Sequence, residues 1–277
     1  MDRILVGSVL DSSLFVQNPE KFQELSQEVT KFNSLYNGNN IIQDDIFSVL
    51  TNYARKNQET LEIFRFPTKD DNFCALTCIQ KGKIFVYINS GIPLANQIFA
   101  AAHELYHIWC FIEEKDESVL RKGSFLNASF MDEEIKSRED LEANAYAGLL
   151  LTPSKALYEQ TEIYGISRQE QNLEDVIRLM AIFSMPYKAI LLRLYEEKYM
   201  NADKARKFLS VDKDVLKKNI GYNPDAVRWQ RRTPEILQFG SLKKLIEKNV
   251  ESDLLTDSRA KGDLETFHRI SQKYKKD

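Results

Sequence analysis

Two histidines and one glutamate, in the run His103-Glu104-Leu105-Tyr106-His107, have the types and spacing to hold a divalent cation and to move a proton beside it. On a helix His103 and His107 stand one turn apart, about 6 Å along the axis and on one face, so a nitrogen of each ring can reach a single ion. Glu104 is turned about 100° from His103, close to the open side of such an ion without ligating it. Zn²⁺ in that position would lower the pKa of a coordinated water from about 16 to about 7, and the neighbouring carboxylate would take its proton as the water attacks a carbonyl carbon. Two hydrogen-bonded core histidines also fit the spacing. The setting favours chemistry: the chain has three histidines, and two fall here, on an apolar stretch without Gly or Pro between Pro93 and Glu113-Glu114.

A catalytic zinc takes three protein ligands and leaves a fourth position for water. The remaining histidine, His268, lies in the charged C-terminal tail, so a carboxylate is expected instead. The next apolar helix, residues 137–151 stopped by Pro153, offers Glu139, Asp140 and Glu142 near its start. Ala143, Ala145, Ala147 and Gly148 are small enough to let it approach the histidine helix closely. Acidic residues at a helix start are equally explained by the helix dipole, and the three candidates stay open on spacing alone.

The elements that must carry these residues follow from periodicity. Residues 12–34 show helical spacing through Leu14, Phe15, Phe22, Leu25, Val29 and Phe32 and end in Asn37-Gly38-Asn39-Asn40; Ile41, Ile42, Ile46, Phe47, Leu50 and Tyr53 predict a second helix, so 12–57 is helical. Residues 61–89 read as three strands, at 61–66, 73–79 and 84–88, the last two a hairpin around Gly82. The histidine helix is expected over 93–112, with Pro93 in its first turn, and the third-ligand helix over 137–152. Between them, 113–137 is polar and reads as a surface loop with a helical turn at 116–121. Packing helices follow over 156–200. Two of them, joined by Ser184-Met185-Pro186, resemble a helix-turn-helix, but the second carries only Lys188, Arg193 and Lys198 as basic residues, so packing is the better reading.

These elements predict an α+β fold, mainly helical, with a small antiparallel sheet of about three strands packed against the histidine helix. Residues 1–200 form a zinc-peptidase-like domain and 201–277 a charged helical C-terminal region, with short helices at 215–220, 236–250 and 264–274. In the latter, Arg228-Trp229-Gln230-Arg231-Arg232 is the one dense basic cluster with an aromatic, read as a solvated face ahead of a contact to a nucleic acid or an acidic partner.

With 43% hydrophobic and 29% charged residues, the 277-residue chain has the composition of a globular protein with a sizeable core. A net charge of −3 exerts no overall pull on nucleic acid or acidic membranes, and direct nucleic-acid binding is not expected. The apolar run at the N-terminus is interrupted by Asp11 too soon for a secretion signal, and no stretch approaches about 18 apolar residues, so a cytoplasmic protein without membrane partner is expected. Cys74, Cys78 and Cys110 are odd in number and lack metal-ligand spacing, which predicts buried thiols.

The stretch Phe99-Ala100-Ala101-Ala102-His103-Glu104-Leu105-Tyr106-His107, followed by Asp140-Leu141-Glu142-Ala143-Asn144-Ala145-Tyr146-Ala147-Gly148-Leu149-Leu150-Leu151-Thr152-Pro153, resembles the ImmA/IrrE family of zinc metallopeptidases. The two linked motifs stand in the family's order after a hairpin, and the match covers about residues 82–153. The resemblance implies His103 and His107 as zinc ligands, Glu104 as general base, Asp140 as third ligand where the family has Glu, and Asn144 as a hydrogen-bonding residue that orients a ligand. Glu142 is the alternative third ligand, and Tyr146 replaces a packing Phe. It further implies a zinc endopeptidase that cleaves a helix-turn-helix repressor. The rival reading keeps the fold and metal in a non-catalytic regulator or toxin–antitoxin component that works by binding.

Overall fold

In the computed structural model, which describes residues 8–11, 13–38, 41–70, 72–114, 124–127, 138–168 and 170–274, three helices open the chain: α1 (Ser8–Asp11), α2 (Leu14–Gln17) and α3 (Pro19–Tyr36). Asn18 caps α3 by accepting from the Lys21 amide at 3.1 Å, and Pro19 takes the first helical position, so the helical spacing from residue 12 is divided at this point. Phe22, Leu25, Val29 and Phe32 form the buried stripe of α3, and Ile46, Val49, Leu50 and Tyr53 that of α4 (Ile46–Lys56).

Three strands follow as expected, β1 (Leu61–Phe66), β2 (Phe73–Gln80) and β3 (Lys83–Asn89). β2 and β3 form the antiparallel hairpin, and Gln80 pairs with Lys83 across a two-residue turn in which Lys81 and Gly82 both have positive φ, +52° and +72°. A side chain at Gly82 would meet nothing within 4 Å, so Gly82→Ala isolates backbone strain: it is expected to cost about 1 kcal/mol in urea denaturation without changing the packed core.

The expectation of a purely antiparallel sheet is corrected. β1 runs parallel to β3, with Leu61 opposite Ile84 and Phe66 opposite Asn89, because β3 lies between β1 and β2 and residues 67–72 must cross its end. Buried Asn89 ties that crossing down: its Oδ1 accepts from the Thr68 and Gly91 amides and its Nδ2 donates to the Asp70 and Phe73 carbonyls. Two further strands complete a mixed sheet of order β4-β2-β3-β1-β5: β4 (Ser124–Asn127), inside the stretch read as a loop, and β5 (Gln238–Phe239), from the C-terminal region. The helical turn expected at 116–121 falls outside the described residues.

Ile63, Cys74, Ile84, Val86 and Ile88 point from the sheet into the core. They meet α5 (Leu94–Glu114), whose Ile98, Phe99, Leu105 and Ile108 are at most 1% exposed and whose Ala100, Ala101 and Ala102 let it lie close to its neighbours. A helix apolar on all sides is a central one. On its other side packs α6 (Arg138–Leu151), then α7 (Ser154–Ile163), α8 (Leu173–Phe183) and α9 (Tyr187–Glu196). Ser184, in the left-handed conformation at the end of α8, turns the chain into α9, whose Ile190, Leu191, Arg193 and Leu194 are buried in the core.

The C-terminal region holds α10 (Ala202–Leu209), α11 (Lys213–Gly221), α12 (Pro224–Gln230), β5, α13 (Leu242–Glu251) and α14 (Asp257–Tyr274). The helix expected over 236–250 is broken at Gly240, where φ is +55° and β5 gives way to α13. In the basic cluster Arg228, Arg231 and Arg232 are exposed, as a solvated face has them, but the tryptophan between them and the backbone are held by the fold. Trp229 is 3% exposed, the Arg231 carbonyl accepts from the Leu94 amide, and Arg232 Nη1 donates to the Gly91 carbonyl at 2.9 Å. Gln97 of α5 reinforces this strap by donating to Thr233 Oγ1 at 2.9 Å. Among the described residues no helix is long and apolar enough to cross a membrane.

Candidate metal centre and active site

α5 brings His103, Glu104 and His107 into the interior, exposed by 0%, 0% and 2%. Each imidazole is held from behind by α6. His103 Nδ1 lies 3.0 Å from Asn144 Oδ1, and His107 Nδ1 lies 3.3 Å from Glu139 Oε1. A carboxylate or amide oxygen only accepts, so in the neutral rings both Nδ1 atoms carry the proton and both Nε2 atoms a lone pair. Those two Nε2 atoms face one another at 3.2 Å.

Two lone pairs at that distance repel unless a cation sits against both. Asp140, partly buried on the first turn of α6, stands where a third donor could join them: one ligand atom from each of His103, His107 and Asp140 lies within 4.8 Å of the others. Ligands of an ideal tetrahedral zinc are about 3.3 Å apart, so the histidines already stand at that spacing and the Asp140 side chain has to close the rest. The donor set of two imidazoles and one carboxylate suits a divalent ion of zinc's kind. The field agrees. Burial opposes a charge on His107, but the hydrogen bond it donates to Glu139 and the negative charges of Glu104, Glu139 and Asp140 outweigh it and raise its pKa above the ordinary histidine value. A potential that attracts a proton attracts a metal cation at the same place.

The other carboxylates of this region are engaged elsewhere. Glu142 is buried on another face of α6, where its Oε2 accepts from Tyr106 at 2.6 Å and its Oε1 from Arg138 Nε at 3.0 Å. Glu139, one of three acids that spacing left open as third ligand, stands behind His107 instead. Nothing in its position along the chain announced that role, because Glu139 and Asp140 are adjacent and only the approach angle of α6 decides which one faces the histidines. Asn144, one turn after Asp140, backs His103. His268 lies on α14 beside β5 and α13.

Glu104 is turned toward β2. Burial pushes the Cys74 thiol up to about 12, and the charge of Glu104 adds to that rise. Burial also raises Cys78, so neither thiol is a nucleophile, and a covalent cysteine route has no support at this site. The small residues of α6 divide their work: Ala143 and Ala147 are fully buried, whereas a Cβ on Gly148 would stand 3.1 Å from Arg193 Cδ, so Gly148 makes room for α9 rather than for α5.

No curated protein matches the chain. The model of the IrrE N-terminal-like domain, a peptidase family, matches residues 45–195, from the start of α4 through β1–β3, α5 and α6 into α9. That span is more than half of the 277 residues and contains every donor of the metal group, and the chain therefore belongs to the IrrE N-terminal-like family of peptidases.

Proposed function

We propose that the protein is a zinc-dependent endopeptidase, working in the cytoplasm on a regulatory protein. The observation that carries the reading is the pair of facing Nε2 atoms at 3.2 Å, each imidazole fixed through its Nδ1, with Asp140 as third donor. Zinc bound by His103, His107 and Asp140 would polarise the scissile carbonyl and acidify the attacking water. Glu104 would take the proton of the attacking water and pass it to the leaving amine, so the proton count would close over one turnover. Its complete burial keeps bulk water from competing for the carboxylate. Asn144 and Glu139 hold the two rings at the angle the donors need.

An extended substrate strand would add to the sheet at β4, the edge next to β2 and α5, since β5 already covers Phe64 and Arg65 of β1. The substrate we propose is a helix-turn-helix transcriptional repressor, on the strength of the paired motifs alone. Purified protein never exposed to chelator should contain near-stoichiometric zinc and should cleave a repressor from its own locus. Absence of zinc sinks the reading.

The ligand assignment has its own test. Asp140→Ala is expected to weaken zinc binding by about 10-fold or more in a chelator competition. Glu142→Ala should weaken it less, because its partners are Tyr106 and Arg138. The reverse order would assign Glu142 to the metal.

A further inference from the structure

Away from the metal group, the end of α9, the start of α10 and the chain around Arg168 border an open cleft of about 630 Å³. Phe15, Tyr195 and Tyr199 supply aromatic walls, and Arg168, Lys198 and Lys204 supply cationic ones. Among the described residues no carboxylate lines it, although the chain has more acidic than basic residues, 41 against 38. The acids nearby are drawn elsewhere: Glu196 and Glu197 to Arg193 at 2.6 Å each, Asp11 and Asp203 to Arg206 at 3.3 and 3.5 Å.

Arg168 and Lys198 are exposed, but the ring beneath Arg168 is anchored. Tyr199 is 3% exposed, with its hydroxyl 3.0 Å from Thr161 Oγ1 and its carbonyl accepting from Gln171 Nε2 at 2.8 Å. The Arg168 guanidinium lies over that anchored ring, 4.6 Å from its centroid, which fixes its plane and leaves its N–H edges to an anion. Lys198, in the left-handed conformation at φ +59°, ends α9 at the pocket rim. The first turn of α10 opens onto the same space. Its cap, Asn201, accepts from the Lys204 amide, while the amides of Ala202 and Asp203 have no acceptor inside the helix.

We propose that this pocket binds a nucleoside phosphate: the phosphate against Arg168, Lys198 and the start of α10, the flat base against the partly exposed rings of Phe15 and Tyr195. The volume suits one mononucleotide, and the combination of fixed cations with ring faces selects a phosphate that carries an aromatic body over a bare anion. The proposal stands independently of the metal centre.

Titration calorimetry on the full chain tests it with adenosine monophosphate, adenosine and inorganic phosphate as probes. The monophosphate is expected to bind in the range of about 10–100 μM, and each of the other two at least about 10-fold more weakly. Arg168→Ala and Lys198→Ala should each weaken the monophosphate by about 10-fold with unchanged melting curves, since both side chains are exposed. Glu104→Gln should leave it unaltered. No binding of the monophosphate at about millimolar concentration, equal affinity for inorganic phosphate, or undiminished binding in both variants would overturn the proposal.

Discussion

Glu104→Gln is expected to lower kcat for peptide hydrolysis by about 10²- to 10⁴-fold while bound zinc stays at the wild-type level. The amide keeps the shape of the carboxylate in a position with 0% exposure, so the change removes proton transfer and little else. Glu104 is outside the donor group of His103, His107 and Asp140, which is why metal content should not follow activity. His103→Ala, by contrast, should lose both together. Cleavage by Glu104→Gln at the wild-type rate would reject general-base catalysis and leave the rival reading, a metal-binding regulator that acts by association.

The largest effect on stability is expected at Arg193, 1% exposed at the junction of α6 and α9. Its guanidinium donates to Glu196 and Glu197 at 2.6 Å each and to the Thr152 carbonyl beyond the end of α6 at 3.2 Å. Arg193→Met would strand buried acid and an unanswered carbonyl and should cost about 3–5 kcal/mol in urea denaturation at neutral pH. One arginine faces two glutamates here, and the more buried one bears the consequence: burial pushes Glu196 up to about 7 despite the pull of Arg193. A folded pKa raised above the unfolded value means that the native state holds the extra proton. The stability it contributes is present below about 4.5 and is lost as pH rises through about 7. Glu196→Gln should therefore flatten the fall in stability over that window. A variant whose stability still falls as steeply would show that Glu196 is ionised throughout.

Local pattern was enough for the chemistry of α5. The two histidines at a helical spacing on an apolar stretch, and the acid-rich start of α6 with its Ala-Asn pair, can be read without coordinates because both follow from the period of a helix. The hairpin at Gly82 was legible for a similar reason: a two-residue turn requires positive φ, and glycine supplies it. Parallel pairing of β1 with β3 was not, since strand order depends on where residues 67–72 cross, and Asn89 enforces that crossing through side-chain hydrogen bonds spanning 16 to 21 residues. The strap around Trp229 was missed because a buried tryptophan flanked by arginines has the same local composition as a solvated basic patch. The same division runs through the metal group. Sequence by itself determined that His103, Glu104 and His107 share one helix and narrowed the candidate third donor to the acids at the start of the next. Only tertiary structure decided that Asp140 faces the two Nε2 atoms, that Glu139 backs His107, and that Glu142 turns to Tyr106 and Arg138. The reason is angular: neighbouring residues on a helix differ by about 100°, so the roles of adjacent acids are set by the rotation of α6 against α5, which packing alone determines.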